Sequence, residues 1–107
     1  MNFNEYRKDI ELQCKAKNAC VEEYDKLISV KTEEEFWEIL NENGSWCGSK
    51  LIKIPDELLN LITYDFWKYL YCRYVKDREE LWSTITDDTY KYLYCKDVKD
   101  RIELRVK

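Results

Sequence analysis

Five thiols and no imidazole limit the chemistry this sequence can offer. Cys14, Cys20, Cys47, Cys72 and Cys95 are odd in number, contain no C-x-x-C pair, and have no histidine in the chain to complete a mixed zinc site. General acid–base work would fall to a carboxylate, a lysine or a tyrosine with a strongly shifted pKa. No phosphate-cradling G-x-x-x-x-G-K, no G-x-S-x-G, no metal-binding helix motif and no dinucleotide fingerprint occurs. The residue types therefore point to a non-enzymatic protein without cofactor or metal.

Charge is the second resource. Between Glu22 and Glu42 stand eight carboxylates (Glu22, Glu23, Asp25, Glu33, Glu34, Glu35, Glu38, Glu42) against Lys26 and Lys31, a local excess larger than the net −4 of the whole chain. Thr32 and Glu35 have the spacing of a capping box, which predicts a short helix here, with Phe36, Trp37, Ile39 and Leu40 on its apolar side and Gly44 as its stop. Glu33, Glu34, Glu38 and Glu42 are the candidate partner-binding residues. A dense negative ridge suits a basic surface on a partner protein, such as the phosphate-neutralising channel of a bacterial nucleic-acid-processing effector. The plain alternative is a solvated helix face.

Aromatic residues interleaved with cations are the third. Tyr69, Arg73 and Lys76 recur 23 residues later as Tyr92, Lys96 and Lys99, the residue types that single-stranded nucleic acid engages by stacking and phosphate contacts. Residues 51 to 107 hold 11 cations and 11 anions, with no basic excess, so packing between neighbouring helices is the stronger expectation for these tyrosines. Direct nucleic-acid binding is the alternative function, and a self-associating structural repeat is a third.

The elements that must position these residues follow from a repetition. Lys68 to Leu81 (KYLYCRYVKDREEL) and Lys91 to Leu104 (KYLYCKDVKDRIEL) are identical at 11 of 14 positions, 23 residues apart. A weaker copy runs backward through Ile52, Lys53, Glu57, Leu58 and Ile62. A fixed short period predicts small units that bury their apolar faces on one another. Each unit reads as a hairpin of two helices. The first covers about Asp65 to Lys76, with Trp67, Leu70, Tyr71, Tyr74 and Val75 inward and Asp65 or Asp88 as N-cap; the second begins where Pro55, Arg78 and Arg101 align and carries Leu81, Trp82 and Ile85. Cys72 and Cys95 take equivalent places at interhelical spacing, beyond disulfide reach, as reduced structural thiols.

Ahead of the repeats, Phe3, Tyr6, Ile10, Cys14, Cys20, Val21, Tyr24, Leu27 and Ile28 share one sector of a helical wheel, interrupted at Gln13, Lys17 and Asn18, which allows one long amphipathic helix or two short ones. Residues 44 to 50 (GSWCGSK) read as the connecting loop. Its Trp46-Cys47-Gly48 resembles the start of a thioredoxin active site, but Lys50 stands where the resolving cysteine belongs and Pro55 cannot serve as that family's cis-proline. Cys47 is expected to be inert.

The fold class expected is all-α: N-terminal amphipathic helices (1–43), a loop (44–50) and tandem 23-residue helical-hairpin repeats (51–107) in a single domain. The unit of aromatic helix, V-K-x-R and E-L resembles the short tandem α-helical repeats of some phage-encoded and other bacterial proteins. That resemblance implies an accessory or interaction role and no catalytic residues. In size and acidity the chain is also similar to the small phage inhibitors of bacterial nucleases, anti-CRISPR proteins among them. Charged residues within the first nine positions and the absence of a long apolar run predict no signal peptide, no membrane span and a cytoplasmic protein.

Overall fold

The sequence pattern becomes a run of short helices with no strand among the described residues, 2–105, of a computed structural model. Helix α1 spans Phe3–Ala16, α2 Val21–Ser29, α3 Glu33–Glu42, α4 Gly44–Ser49, α5 Asp65–Tyr74, α6 Glu79–Trp82 and α7 Asp88–Asp97; 3₁₀ segments cover Asp56–Leu61 and Ile102–Leu104. No helix among the described residues is long and apolar enough to cross a membrane. Val106 and Lys107 lie outside the described residues; Leu104 is buried.

The interruption at Lys17 and Asn18 divides the N-terminal stripe into two helices. Asn18 adopts a left-handed conformation (φ 63°), which Asn tolerates better than most residues, and turns the chain. Asn2 caps α1 by accepting from the Glu5 amide at 2.9 Å. Tyr6, Ile10, Cys14 and Leu27 are buried as the periodicity requires, but Val21 and Ile28 remain exposed because no element packs over that side of α2. Arg7 joins the two helices, donating to the Val30 and Leu27 carbonyls at 3.0 and 3.2 Å and so serving the open C-terminal end of α2.

Of residues 44 to 50, expected as a loop, Gly44–Ser49 form α4 instead. The two glycines serve close approach rather than a turn: neither has positive φ. A Cβ on Gly48 would stand 2.6 Å from Leu70 Cδ1, and one on Gly44 would stand 2.6 Å from the Tyr64 ring and 3.0 Å from Trp67 Cβ. Helix α4 therefore lies directly on α5, and α5 in turn packs against α7. The stop of α3 is Asn43 rather than Gly44.

Register-equivalent positions share much local geometry. Helices α5 and α7 each have ten residues and end at Val75 and Val98 with nearly the same dihedrals (φ −108°, ψ −65° and φ −110°, ψ −70°). Thiols Cys72 and Cys95 point to the carbonyls of Arg78 and Arg101 at 3.8 and 3.6 Å. Pro55, Arg78 and Arg101, all extended, precede the short segments that follow. Those segments are one turn or two, shorter than the second helix of a hairpin, and two are 3₁₀ where Glu79–Trp82 is α. The N-caps also differ from expectation: Asp87, not Asp88, caps α7 by accepting from the Thr89 amide at 2.8 Å, and Tyr64 precedes α5. Tyr74, expected inward, is half exposed.

The buried side chains form one contiguous cluster from Tyr6 to Leu104 along a body of 44 × 26 × 18 Å. Trp67 is its centre, fully buried and stacked on Trp37 at 6.5 Å. Its indole N–H has no partner among the described residues, a donor whose desolvation costs about 1–3 kcal/mol and is outweighed by the ring's burial and packing.

Candidate partner-binding groove

Helix α3 is held by its cap and its aromatic face. Thr32 Oγ1 accepts from the Glu35 amide at 3.2 Å and donates to the Glu35 carboxylate at 2.9 Å, so the capping pair is made, with the carboxylate returning to the threonine hydroxyl. Phe36, Trp37 and Leu40 are buried, and Trp37 Nε1 donates to Tyr6 Oη at 2.8 Å. This fixes the rotation of α3. Burial of Phe36, Trp37 and Leu40 forces Glu33, Glu34, Glu38 and Glu42 outward, and all four are exposed.

Glu34, Glu38 and Glu42 fall at i, i+4 and i+8, one per turn. No ion pair among the described residues involves any of them or Glu33. Like charges at this spacing each cost a helix about 0.2–0.5 kcal/mol, so the row is a local destabilisation that the buried aromatic face must offset.

The row forms one wall of an open groove of about 640 Å³. Trp37 and Asn41 belong to the same wall, and Asn60, Leu61, Thr63 and Tyr64 make the other. No cation lines it. Asn41 sets the distance between the walls: its Nδ2 donates to Leu61 O at 3.0 Å, and its Oδ1 accepts from the amides of Thr63 (2.8 Å) and Tyr64 (3.2 Å). Tyr64 is left 39% exposed at the rim, against Gly44. Nothing in the spacing of the sequence singled out Asn41, because its partners lie 20 to 23 residues away.

A small, mostly apolar cavity of about 100 Å³ lies on the other side of α3, lined by Cys14, Cys20, Cys47 and neighbouring apolar side chains together with Glu23 and Asn43. Burial pushes the Cys14 thiol up to about 11 and the Cys47 thiol higher still. A thiol so desolvated has little thiolate at neutral pH. Burial likewise pushes Cys72 up to about 12. All five cysteines are free, Cys20 is exposed, and no cluster among the described residues could hold a metal ion.

The six residues of the alternative face are separated by the fold. Tyr69 is 3% exposed, beneath α7, with its hydroxyl donating to Asp97 and accepting from Arg73 at 2.9 Å. Arg73 also pairs with Asp97 at 3.5 Å, and Lys76 with Asp56 at 3.3 Å. Their equivalents Tyr92, Lys96 and Lys99 are exposed and free of ion pairs among the described residues. The continuous stacking surface expected for nucleic acid is thus broken at Tyr69.

Asp65 has no role in the sequence reading beyond a cap, yet it joins two parts of the molecule. Its Oδ2 accepts from the Thr86 amide (3.1 Å), the Thr86 hydroxyl (3.0 Å) and the Asp87 amide (2.8 Å), and its Oδ1 faces Lys68 at 3.4 Å. Lys68 is buried and donates to the Thr84 carbonyl at 3.0 Å. Burial alone would raise the carboxyl; the Asp87 and Thr86 donors and Lys68 outweigh it and hold the group below its ordinary value.

No protein-family model, curated protein or solved structure matches the chain.

Proposed function

We propose that the protein is a small non-enzymatic binding module, an inhibitor or accessory factor, that takes a lysine- or arginine-bearing segment of a partner protein into the groove beside α3. The observation that carries this reading is the row Glu34, Glu38 and Glu42, without an ion pair among the described residues, along a groove whose described lining includes Trp37, Leu61 and Tyr64 and no cation. Apolar surface receives the aliphatic stems of long basic side chains while the carboxylates receive their heads. A nucleic-acid-processing enzyme offers such segments where it neutralises phosphates, and a carboxylate row competes for them. Behind the groove, we read residues from about 50 onward as a short stack of 23-residue units whose function is to buttress α4 and Tyr64.

Titration of a fluorescent arginine-rich peptide against wild type and the Glu34→Gln/Glu38→Gln/Glu42→Gln variant, over a salt series, tests the reading. Binding by wild type should fall steeply with salt, since exposed charges are screened within about 10 Å at 0.1 M, and should drop at least about tenfold in the variant. Equal affinity of the two proteins at every salt concentration refutes it. Glu35 stays unchanged, because its capping contact would confound the comparison.

A further inference from the structure

The outer face of α7 repeats, uncovered, a stripe that the chain already uses as an interface. On α5 the stripe is Asp65, Tyr69 and Arg73, at i, i+4 and i+8. All three engage the next unit: Asp65 the Thr86–Asp87 turn, Tyr69 and Arg73 the carboxylate of Asp97. Twenty-three residues on, the stripe is Asp88, Tyr92 and Lys96. Here the side chain of Asp88 is 72% exposed against 14% for Asp65, and Tyr92 is 59% exposed against 3% for Tyr69. Among the described residues the one ion pair of Asp88 is a 3.9 Å contact to Lys91 within its own helix. A tyrosine flanked by one acid and one base is therefore presented to solvent in the arrangement that is buried one unit earlier.

We propose that this face binds the same face of a second copy of the chain, α7 antiparallel to α7 about a two-fold axis near Tyr92. The charges choose both the occupant and the direction. Asp88 and Lys96 lie four residues before and four after Tyr92, so an antiparallel pair sets each Asp88 against the partner's Lys96 twice over and brings the two Tyr92 rings together. A parallel pair would oppose like charges. Such a contact is isologous and closes on itself, so it yields a dimer and no filament. Opposed aromatic rings at its centre supply the apolar anchor, and the flanking pairs set register. The acidic groove is not part of this contact, and the two readings stand or fall separately.

Sedimentation velocity on the full chain, from about 1 µM to about 1 mM, covers the range in which an interface smaller than the standard size associates. The expected result is a concentration-dependent shift from 13.1 kDa to twice that mass. Tyr92→Ala, Asp88→Lys and Lys96→Asp should each weaken association at least about tenfold, since each leaves a like-charged or unfilled contact. An equimolar mixture of Asp88→Lys and Lys96→Asp should associate again, because every unlike pair is restored between the two chains. Circular dichroism verifies that α7 persists; should Asp88→Lys unfold it, Lys96→Asp and Tyr92→Ala still decide. A wild type that stays monomeric throughout overturns the proposal. So does a dimer indifferent to all three substitutions, or folded charge-reversed variants that do not associate when mixed.

Discussion

Replacing Asp65 by alanine should be among the most destabilising single changes of a polar residue in this protein, and replacing its register-equivalent Asp88 should be nearly silent. Asp65 Oδ2 takes three hydrogen bonds of 2.8–3.1 Å from the turn ahead of α7, and the carboxylate is the counter-ion of buried Lys68. A hydrogen bond to a charged group contributes about 1.5–3 kcal/mol. The turn donors lie at a solvated surface and water replaces part of each bond, so the three together come to about 2–3 kcal/mol. Leaving the Lys68 ammonium buried, with the Thr84 carbonyl as its remaining partner among the described residues, brings the total to about 3–5 kcal/mol, against the 5–15 kcal/mol available to a domain. The one ion pair of Asp88 among the described residues is to Lys91 at 3.9 Å, and its alanine variant should stay within about 0.5 kcal/mol of wild type. Urea unfolding read by circular dichroism, at concentrations where the chain is monomeric, gives both values with unchanged m. Equal losses for the two variants, or a loss below about 1 kcal/mol for Asp65→Ala, would refute the account of Asp65 as the link between α5 and α7.

Acid should erase the Asp65 contribution: because the folded-state pKa is held below the unfolded value of about 3.9, the stabilisation is present above that pH and is lost as pH falls through the folded value, so wild type and Asp65→Asn should converge in stability in strong acid. Gly48→Ala should cost about 1–3 kcal/mol by driving a methyl into Leu70, whose Cδ1 and Cβ stand 2.6 and 2.7 Å from the new atom, and thermal denaturation measures it. Tyr71→Phe removes the hydroxyl that donates to Ile54 O at 3.1 Å and accepts from Ile54 N at 3.2 Å, leaving both groups unpaired in the interior; about 1–3 kcal/mol should be lost in urea, whereas exposed Tyr74→Phe should change little. A thiol reagent at neutral pH should label Cys20 promptly and Cys14, Cys47 and Cys72 only after denaturant is added, as thiol counting by absorbance will show.

Helical character was legible wherever a local signal fixed it. Thr32 and Glu35 mark the start of α3, and the doubled Tyr-Leu-Tyr-Cys stretch forms two ten-residue helices, while the interruption at Lys17 and Asn18 left one helix or two open until the structure separated α1 from α2. The outward row Glu33, Glu34, Glu38 and Glu42 followed as well, because three buried neighbours on a ten-residue helix dictate the exposed side. What escaped depends on contacts distant in sequence. Glycine at 44 and 48 is a turn signal locally, but here it admits Tyr64 and Leu70. Tyr69 and Tyr92 have the same neighbours in sequence and opposite environments, since only the first has a helix laid over it. Val21 and Ile28 match the apolar period and stay exposed for want of a facing element. The groove itself exists because Asn41 binds a segment 20 or more residues downstream, which no spacing rule reports.

The arrangement around Asp65 bears on how such a chain changes length. The carboxylate sits in the first turn of one helix, and the donors it holds sit in the turn that introduces the next, 21 and 22 residues later. A gene duplication of 23 codons copies latch and keeper together. The inserted helix finds its own entry turn held by the aspartate upstream, and its own aspartate meets the turn displaced downstream. An insertion of that length would keep the Asp65-type contact, whereas one of any other length would separate carboxylate from turn; the turn entering α5 is held instead by the Asn41 amide.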